Sequence, residues 1–103
     1  MQYNKGGFVY ILTNINHTVL YTGVTANLKK RIHEHKEKLF KDSFTAKYNC
    51  DQLVYYCRYE EITSAITEEK RIKAGSRNKK IDLINSFNPQ WKDLWEDIIK
   101  MDL

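Results

Sequence analysis

Residues 8–23 read FVYILTNINHTVLYTG, and this stretch decides the fold. Two segments, 8–13 and 18–22, are rich in β-branched and aromatic side chains, which favour strands. The turn-forming residues Asn14 and Asn16 lie between them. The pattern therefore predicts a β-hairpin near the start of the chain.

The register of this hairpin decides which side chains meet. If the link is centred between Ile15 and Asn16, pairing places Tyr10 opposite Tyr21 on one face. Gly23 is then expected to end the second strand. Two tyrosines on a shared face are the first candidate for a functional site.

A helix is predicted directly after the hairpin. Thr25 or Asn27 can cap it. Arg31 and His35 are four residues apart and border its apolar stripe, so the helix presents two polar groups at the edge of its buried face. The stripe itself consists of Leu28, Ile32 and Leu39.

The middle of the chain predicts a loop, a strand and a helix. Residues 40–51 are polar and indicate a loop, whereas residues 52–59 indicate a third strand. Thr63 is the expected cap of the second helix, which we expect to end at Gly75. Its predicted buried stripe comprises Ile62, Ala65, Ile66, Ile72 and Lys73.

Glu69 lies on that stripe, at a position where the periodicity predicts an aliphatic side chain. Burying an unpaired carboxylate is costly, so the residue is a candidate for chemistry. The alternative is a position at the stripe's edge, with Lys73 as an ion-pair partner at i+4 worth about 0.3–0.5 kcal/mol. The sequence leaves both interpretations open.

Two further helices complete the predicted fold. Ser76 is expected to cap the third helix, and Asn88-Pro89 to start the last one. The predicted buried positions are Ile81, Ile84 and Phe87 in the third helix, and Trp91, Leu94, Trp95 and Ile98 in the last. The predicted class is therefore α+β, with a three-stranded antiparallel sheet flanked by helices in the order β-β-α-β-α-α, plus a C-terminal helix.

Length and composition bound the remaining possibilities. A chain of 103 residues suits one domain over 1–103, with a core at about 6–87 and a helical extension at 88–103. We expect no membrane association, because no apolar run approaches a bilayer span and the stretch 1–7 is polar. The sequence holds two cysteines without zinc spacing and no phosphate-binding glycine loop, so we expect a cytoplasmic protein without a small-molecule cofactor.

The basic charge is concentrated in two blocks. Residues 29–49 carry seven basic and three acidic side chains, and residues 68–80 carry six and two, so each block has a net charge of +4. The other stretches carry small net charges of +1 (1–28), −2 (50–67) and −3 (81–103). Two basic blocks predict one polyanion-binding surface if the fold brings them together, although solvated helix faces also produce such blocks.

Five side chains interrupt or border otherwise apolar surfaces and could converge: Tyr10, Tyr21, Arg31, His35 and Glu69. Such a set suits phosphodiester hydrolysis. A carboxylate can hold a hard divalent cation, an arginine can stabilise the phosphate oxygens, and a tyrosine or histidine can orient and deprotonate water.

At these residues the chain resembles the GIY-YIG nuclease superfamily, in particular the small stand-alone group similar to the nuclease domain of the bacterial excision-repair incision subunit. The resemblance spans about residues 6–87. It is carried by FVY at 8–10, YTG at 21–23, the segment 24–36, SFTAKY at 43–48, LVYY at 53–56, EKRIK at 69–73 and SRNKK at 76–80.

The resemblance implies a role for each candidate. Glu69 would ligate a single Mg²⁺ or Mn²⁺, and Arg31 would stabilise the scissile phosphate. Tyr10 and Tyr21 would line the site, one of them positioning or activating the water, and His35 would share general-base work. The implied contacts to the DNA backbone are Lys47, Lys73, Arg77, Lys79 and Lys80.

Four positions depart from the family pattern. Phe8 and Thr22 replace the glycine and isoleucine of the name-giving triplets. Val24 stands where some members have a lysine, and Ile81 where some members have an asparagine twelve residues after the glutamate. The predicted function is thus a metal-dependent DNA endonuclease, with a catalytically weak nucleic-acid-binding module as the alternative. RNA as a partner, targeting by a partner protein, and self-association through the Trp91 and Trp95 helix also stay open.

Overall fold

A three-stranded antiparallel sheet organises the chain in the computed structural model, which describes residues 6–102. Its strands are β1 (Gly7–Thr13), β2 (Leu20–Thr25) and β3 (Gln52–Tyr59), in the spatial order β2-β1-β3. The third strand has the predicted bounds. Residues 1–5, most of the polar stretch considered above, lie outside the described part. Because β1 is central, β2 and β3 are the edge strands of the sheet within the described residues. Gly23 does not end β2 as expected, since the strand continues to Thr25.

Helices cover both faces of the sheet, and the predicted α+β class is confirmed. None of the helices within residues 6–102 has the length and apolar character that crossing a bilayer requires. The helices are α1 (Leu28–Lys36), α2 (Phe44–Lys47), α3 (Ile62–Ala74), α4 (Arg77–Phe87) and α5 (Trp95–Ile99).

Alternate residues of β1 face two separate core layers, as the period of a strand requires. Tyr10 and Leu12 pack in the layer covered by α1 and α5. Val9 and Ile11 pack in the layer covered by α3 and α4. The side chains at all four positions are buried, so β1 contributes to both core layers.

The predicted hairpin register is wrong by two residues. Tyr10 pairs with Gly23, and Tyr21 pairs with Leu12. The turn causes the shift, because the Asn14 side-chain Oδ1 accepts hydrogen bonds from two backbone amides of the turn and so displaces its centre. A register shift of two residues keeps each side chain on the same face of the sheet. The two tyrosines therefore still share a face, as diagonal rather than direct neighbours.

The segment after α1 differs from the prediction. Asn27 caps α1 through its side chain, as one of the two expected caps. Leu39 is exposed and outside the helix, because α1 ends at Lys36 and Lys38 takes a positive φ of 53°. Within the predicted loop 40–51, α2 forms a single turn that the Ser43 side chain caps.

The start of α3 and three buried positions also need correction. The helix begins at Ile62 rather than after a Thr63 cap, and Glu61 in the cap position makes no side-chain cap hydrogen bond. Three positions predicted to be buried are exposed: Ile66, Lys73 and Phe87. The buried line of α3 instead runs through Ala65, Glu69 and Ile72, at the i, i+4, i+7 spacing of one helical face.

The other expected boundaries of α3 and α4 hold. Gly75 ends α3, and the Ser76 side chain caps α4 by accepting a hydrogen bond from the Lys79 amide. Ile84 is buried, and Ile81 is partly buried.

The C-terminal helix is shorter than predicted, since α5 begins only at Trp95. Trp91 precedes it with a positive φ of 54°, and its indole Nε1 donates to Asn85 Oδ1 over 2.7 Å. Leu94 and Ile98 are buried as expected. The two tryptophans do not form one stripe, because Trp91 packs in the layer of α3 and α4 whereas Trp95 packs in the opposite layer.

Candidate active site

The candidate site lies beside β2, where the ring of Tyr10 packs over Gly23. A Cβ placed on Gly23 would stand 2.4 Å from the Tyr10 ring carbon Cζ and hydroxyl. The tyrosine ring therefore occupies the space that any larger side chain would fill. Gly23 permits a buried tyrosine of the central strand to present its hydroxyl beside the edge strand.

Tyr10 and Tyr21 lie close together around a histidine. Their ring centroids are 6.3 Å apart, and the His35 ring lies 5.7 Å from Tyr10 and 5.8 Å from Tyr21. The Tyr10 hydroxyl is 2.9 Å from His35 Nε2, within hydrogen-bond distance. The structure thus brings together three of the five predicted residues through direct contacts.

Thr45 holds the other side of the imidazole ring and was not predicted. Its Oγ1 lies 2.9 Å from His35 Nδ1 and 3.2 Å from the Ser43 hydroxyl. Thr45 is buried in α2, which lies within the segment 40–51 predicted to be a loop. The available signal was Ser43 as a helix cap before Phe44-Thr45, but four residues are too few for a periodic pattern.

Burial and charge keep Tyr10 and His35 neutral. Burial, followed by the nearby Arg31 guanidinium, lowers the pKa of His35 to about 4. Burial, followed by the proximity of Tyr21, raises the pKa of Tyr10 well above its usual range, although Arg31 opposes this shift. At neutral pH the pair is therefore an imidazole beside a protonated phenol.

Arg31 projects from α1 into the same cavity as Tyr21 and His35. This cavity of about 310 Å³ is completed by Phe40, Ser43, Phe44 and Thr45. The Arg31 Nε lies 3.3 Å from a Glu34 carboxylate oxygen, and its side chain is partly exposed. A guanidinium that is oriented but accessible can bind a phosphate group.

Glu69 approaches the cluster from the other face of the sheet. It is 7 % exposed on α3, and Lys73 Nζ contacts its Oε2 at 2.7 Å. Lys73 Nζ also lies 5.9 Å from the Tyr21 ring centroid, and Glu69 is close enough to contribute to the raised pKa of Tyr10. Glu69 is therefore buried but not unpaired: its ion-pair partner is Lys73 at i+4, as the second interpretation expects, and the carboxylate raises the pKa of Lys73.

A metal at this site would depend on Glu69. In residues 6–102 no three or more His, Cys, Asp and Glu side chains group as metal ligands. A single hard carboxylate with water completing the shell suits Mg²⁺, which keeps most of its waters, and the donor chemistry therefore fits such an ion. Lys73 would have to share or release one carboxylate oxygen.

The predicted DNA-contacting residues do not all surround this site. Lys73 lies in it, and Lys47 is exposed on neighbouring α2. Arg77 donates to the His17 carbonyl in the hairpin turn over 3.3 Å. Lys80 Nζ donates to the Gly75 carbonyl over 2.7 Å and so stabilises the C-terminus of α3. Lys79 lines a separate groove between α3 and α4.

These features define a small α+β domain with a polar cluster at one sheet edge, and comparison with known proteins gives its family. The family model described as GIY-YIG catalytic domain matches residues 6–82. The chain belongs to the GIY-YIG family, a nuclease family. All ten candidate residues fall inside the matched span.

The chain is also similar to small proteins of the UPF0213 group. It is 34 % identical over 83 residues to one from Syntrophus aciditrophicus, covering 81 % of this chain and 93 % of the relative. It is 39 % identical over 83 residues to one from Clostridium perfringens, covering 77 % and 83 %. The solution NMR structure of a UPF0213 protein from Bacillus halodurans matches with a TM-score of 0.55 at 25 % identity, covering 85 % and 92 %.

Proposed function

We propose that this protein is a divalent-metal-dependent endonuclease that hydrolyses DNA phosphodiester bonds. The observation that carries the proposal is the buried Glu69 carboxylate, whose partner Lys73 lies over the ring of Tyr21, a residue of the cavity that Arg31 and His35 also line. Membership of a nuclease family supports the same reaction class. The ion-pair partner Lys73 is half exposed, so it can turn toward solvent or nucleic acid and leave the Glu69 carboxylate to a metal ion.

In this proposal Glu69 holds one Mg²⁺ or Mn²⁺, which when bound neutralises phosphate charge and favours a nucleophilic water. Arg31 binds the non-bridging oxygens of the scissile phosphate, where its charge stabilises the transition state. Lys73 exchanges its pairing with Glu69 for a contact to the nucleic-acid backbone.

The two tyrosines have different proposed tasks. Tyr21 lines the cavity and orients the attacking water, whereas Tyr10 is buried and connects to His35. As the water oxygen attacks phosphorus, the bond to the leaving oxygen breaks and that oxygen takes a proton from solvent. The proton of the attacking water can pass to the Tyr10 hydroxyl as the tyrosine proton passes to His35 Nε2. Burial is the main cause of the low pKa of His35, and a phosphate anion bound at Arg31 would offset the second cause, the guanidinium charge.

DNA is the proposed partner, and RNA is a second candidate substrate. Four residues outside the cavity are proposed to contact the phosphate backbone: Lys47, Arg77, Lys79 and Lys80. We also propose that a partner protein directs the enzyme to its substrate. The two free cysteines, Cys50 and Cys57, support the cytoplasm as the proposed compartment. The departures at Val24 and Ile81 keep a catalytically weak nucleic-acid-binding module as the alternative.

A cleavage panel separates the two functions. Purified protein is incubated with single-stranded, duplex, branched and damaged DNA, with matched RNA, in Mg²⁺, Mn²⁺ or a chelator. The endonuclease proposal expects metal-dependent internal cuts in at least one substrate and none with chelator. Salt-sensitive binding without cleavage of any substrate would instead establish the binding module.

A further inference from the structure

The cavity of the candidate site opens onto a row of aromatic side chains from β2, α2 and the residue that ends α2. Tyr21 and Phe44 stack with ring centroids 6.0 Å apart, and Phe44 and Tyr48 lie 4.7 Å apart. We call Tyr21, Phe44 and Tyr48 the aromatic row. Because Tyr21 and Phe44 both line the cavity, the row is continuous with the proposed chemistry.

The aromatic row is unusually accessible for apolar side chains. Phe44 is 48 % exposed and Tyr48 is 41 % exposed, while Phe40 on the cavity wall is 59 % exposed. Exposed apolar side chains are common singly, but a contiguous group beside a polar cavity indicates a surface that binds something. Ser43 caps the turn that carries these rings, so the turn has a defined conformation.

Positive charge accompanies the exposed rings. Lys47 Nζ lies 5.4 Å from the Tyr48 ring centroid, and Arg31 lines the cavity at the other end of the row. A second copy of this chain or an apolar peptide would not need these cations. Aromatic faces for bases together with cations for phosphates are the composition of surfaces that bind unpaired nucleic-acid strands.

Base pairing decides which nucleic acids can use such a row. In a duplex each base is stacked between its neighbours, so its face reaches a protein ring only after it leaves the stack. We propose that the aromatic row stacks an unpaired nucleobase of the substrate and so directs the candidate site to strands with unpaired bases. This inference rests on the proposed function and names the substrate class of the same site.

The binding test separates stacking from phosphate contacts and needs no cleavage. Fluorescence anisotropy in EDTA compares a short labelled oligothymidylate with an abasic oligonucleotide of equal length and charge. Phe44→Ala should weaken oligothymidylate binding by about 5-fold or more and leave abasic binding within about twofold. Phe44→Tyr keeps the ring and should keep the affinity. Phe87→Ala removes an exposed ring elsewhere, on α4, and should change neither affinity.

Two nucleic-acid sources of an unpaired base are distinguished by further probes. A duplex with one bulged thymidine and a fully paired duplex are titrated under the same conditions. Phe44-dependent binding of the bulged duplex would establish capture of a displaced base, whereas the same dependence for oligothymidylate alone would establish single strands. Either result supports the proposal.

Three outcomes would overturn it. Equal weakening of the abasic and base-bearing strands by Phe44→Ala would make the row a structural support, and no effect on either would leave it without a role in binding. A wild-type dimer that Phe44→Ala dissociates in sedimentation velocity would make the row a self-interface. Base-dependent binding without metal-dependent cleavage would support the stacking role and contradict the endonuclease proposal. Cleavage of duplex DNA that Phe44→Ala leaves unaffected would support the endonuclease proposal and contradict the stacking role.

Discussion

His35 uses both ring nitrogens inside the protein, toward Tyr10 and toward Thr45. Its surroundings fit a neutral imidazole, since burial and the Arg31 charge both oppose protonation. The neutral imidazole supports a hydrogen-bonded cluster at neutral pH, whereas its protonation in acid destabilises the folded protein. Its protonation is therefore coupled to folding.

The pH dependence of stability should report this coupling. The folded pKa of His35, about 4, lies below its ordinary value of 6.5, so the unfolded chain binds more protons between these values. The free energy of unfolding should fall as pH drops through that window. In His35→Gln, urea midpoints should show a smaller loss over the same range. An equal loss of the free energy of unfolding in the wild type and in His35→Gln would show that His35 is not the titrating group.

Thr45 should determine which imidazole nitrogen carries the proton. With Tyr10 held protonated as a donor to Nε2, the Nδ1 proton is expected to bond to Thr45 Oγ1. Thr45→Val removes this acceptor and leaves a donor unsatisfied, costing about 1–3 kcal/mol. Ring ¹⁵N NMR should then show a mixture of tautomers, whereas Thr45→Ser should retain the wild-type spectrum. An unchanged spectrum in Thr45→Val would exclude the positioning role.

The hairpin illustrates what can be predicted at the scale of elements. Side-chain type predicts the strands and the shared face of Tyr10 and Tyr21, because strand period does not depend on the turn. The register depends on the turn, where Asn14 makes side-chain hydrogen bonds that no strand pattern contains. Likewise α2 has one turn, so Thr45 and the aromatic row could not be found from periodicity.

Gly23 is the position where the hairpin and the site constrain each other. In Gly23→Ala the new methyl group would overlap the Tyr10 ring at 2.4 Å and displace it from His35. We expect destabilisation by about 1–3 kcal/mol in urea unfolding, as for other overpacked cores. Gly75→Ala is the matched control, because a Cβ on residue 75 would lie 3.4 Å from its nearest neighbour, the Ile72 carbonyl oxygen, and the φ of Gly75 is −79°. Equal stability of both variants would contradict the packing account.

At the scale of the whole molecule, the candidate site is assembled across the edge of the sheet. Arg31 and His35 belong to α1 on one face, whereas Glu69 and Lys73 belong to α3 on the other. One cation from each basic block therefore lies near Tyr21, since Arg31 lines the same cavity and Lys73 Nζ is 5.9 Å from the ring centroid. Sequence periodicity indicates which residues are out of place, but the sheet order decides which edge they share.

The central claim is that Glu69 is the metal-binding carboxylate of a nuclease site. Glu68 gives a matched control, because it is the next residue on α3 but pairs with Arg71. Glu69→Gln preserves size and removes the charge, so Mn²⁺-dependent cleavage of the best DNA substrate should fall by about 100-fold or more. Calorimetry should show a parallel loss of Mn²⁺ binding.

Glu68→Gln should cleave at the wild-type rate, and circular dichroism should show that both variants are folded. The measurement that tests the account most directly is therefore the cleavage rate of folded Glu69→Gln beside that of Glu68→Gln. The account predicts loss in the first and wild-type activity in the second. Equal activity in the two variants would contradict it.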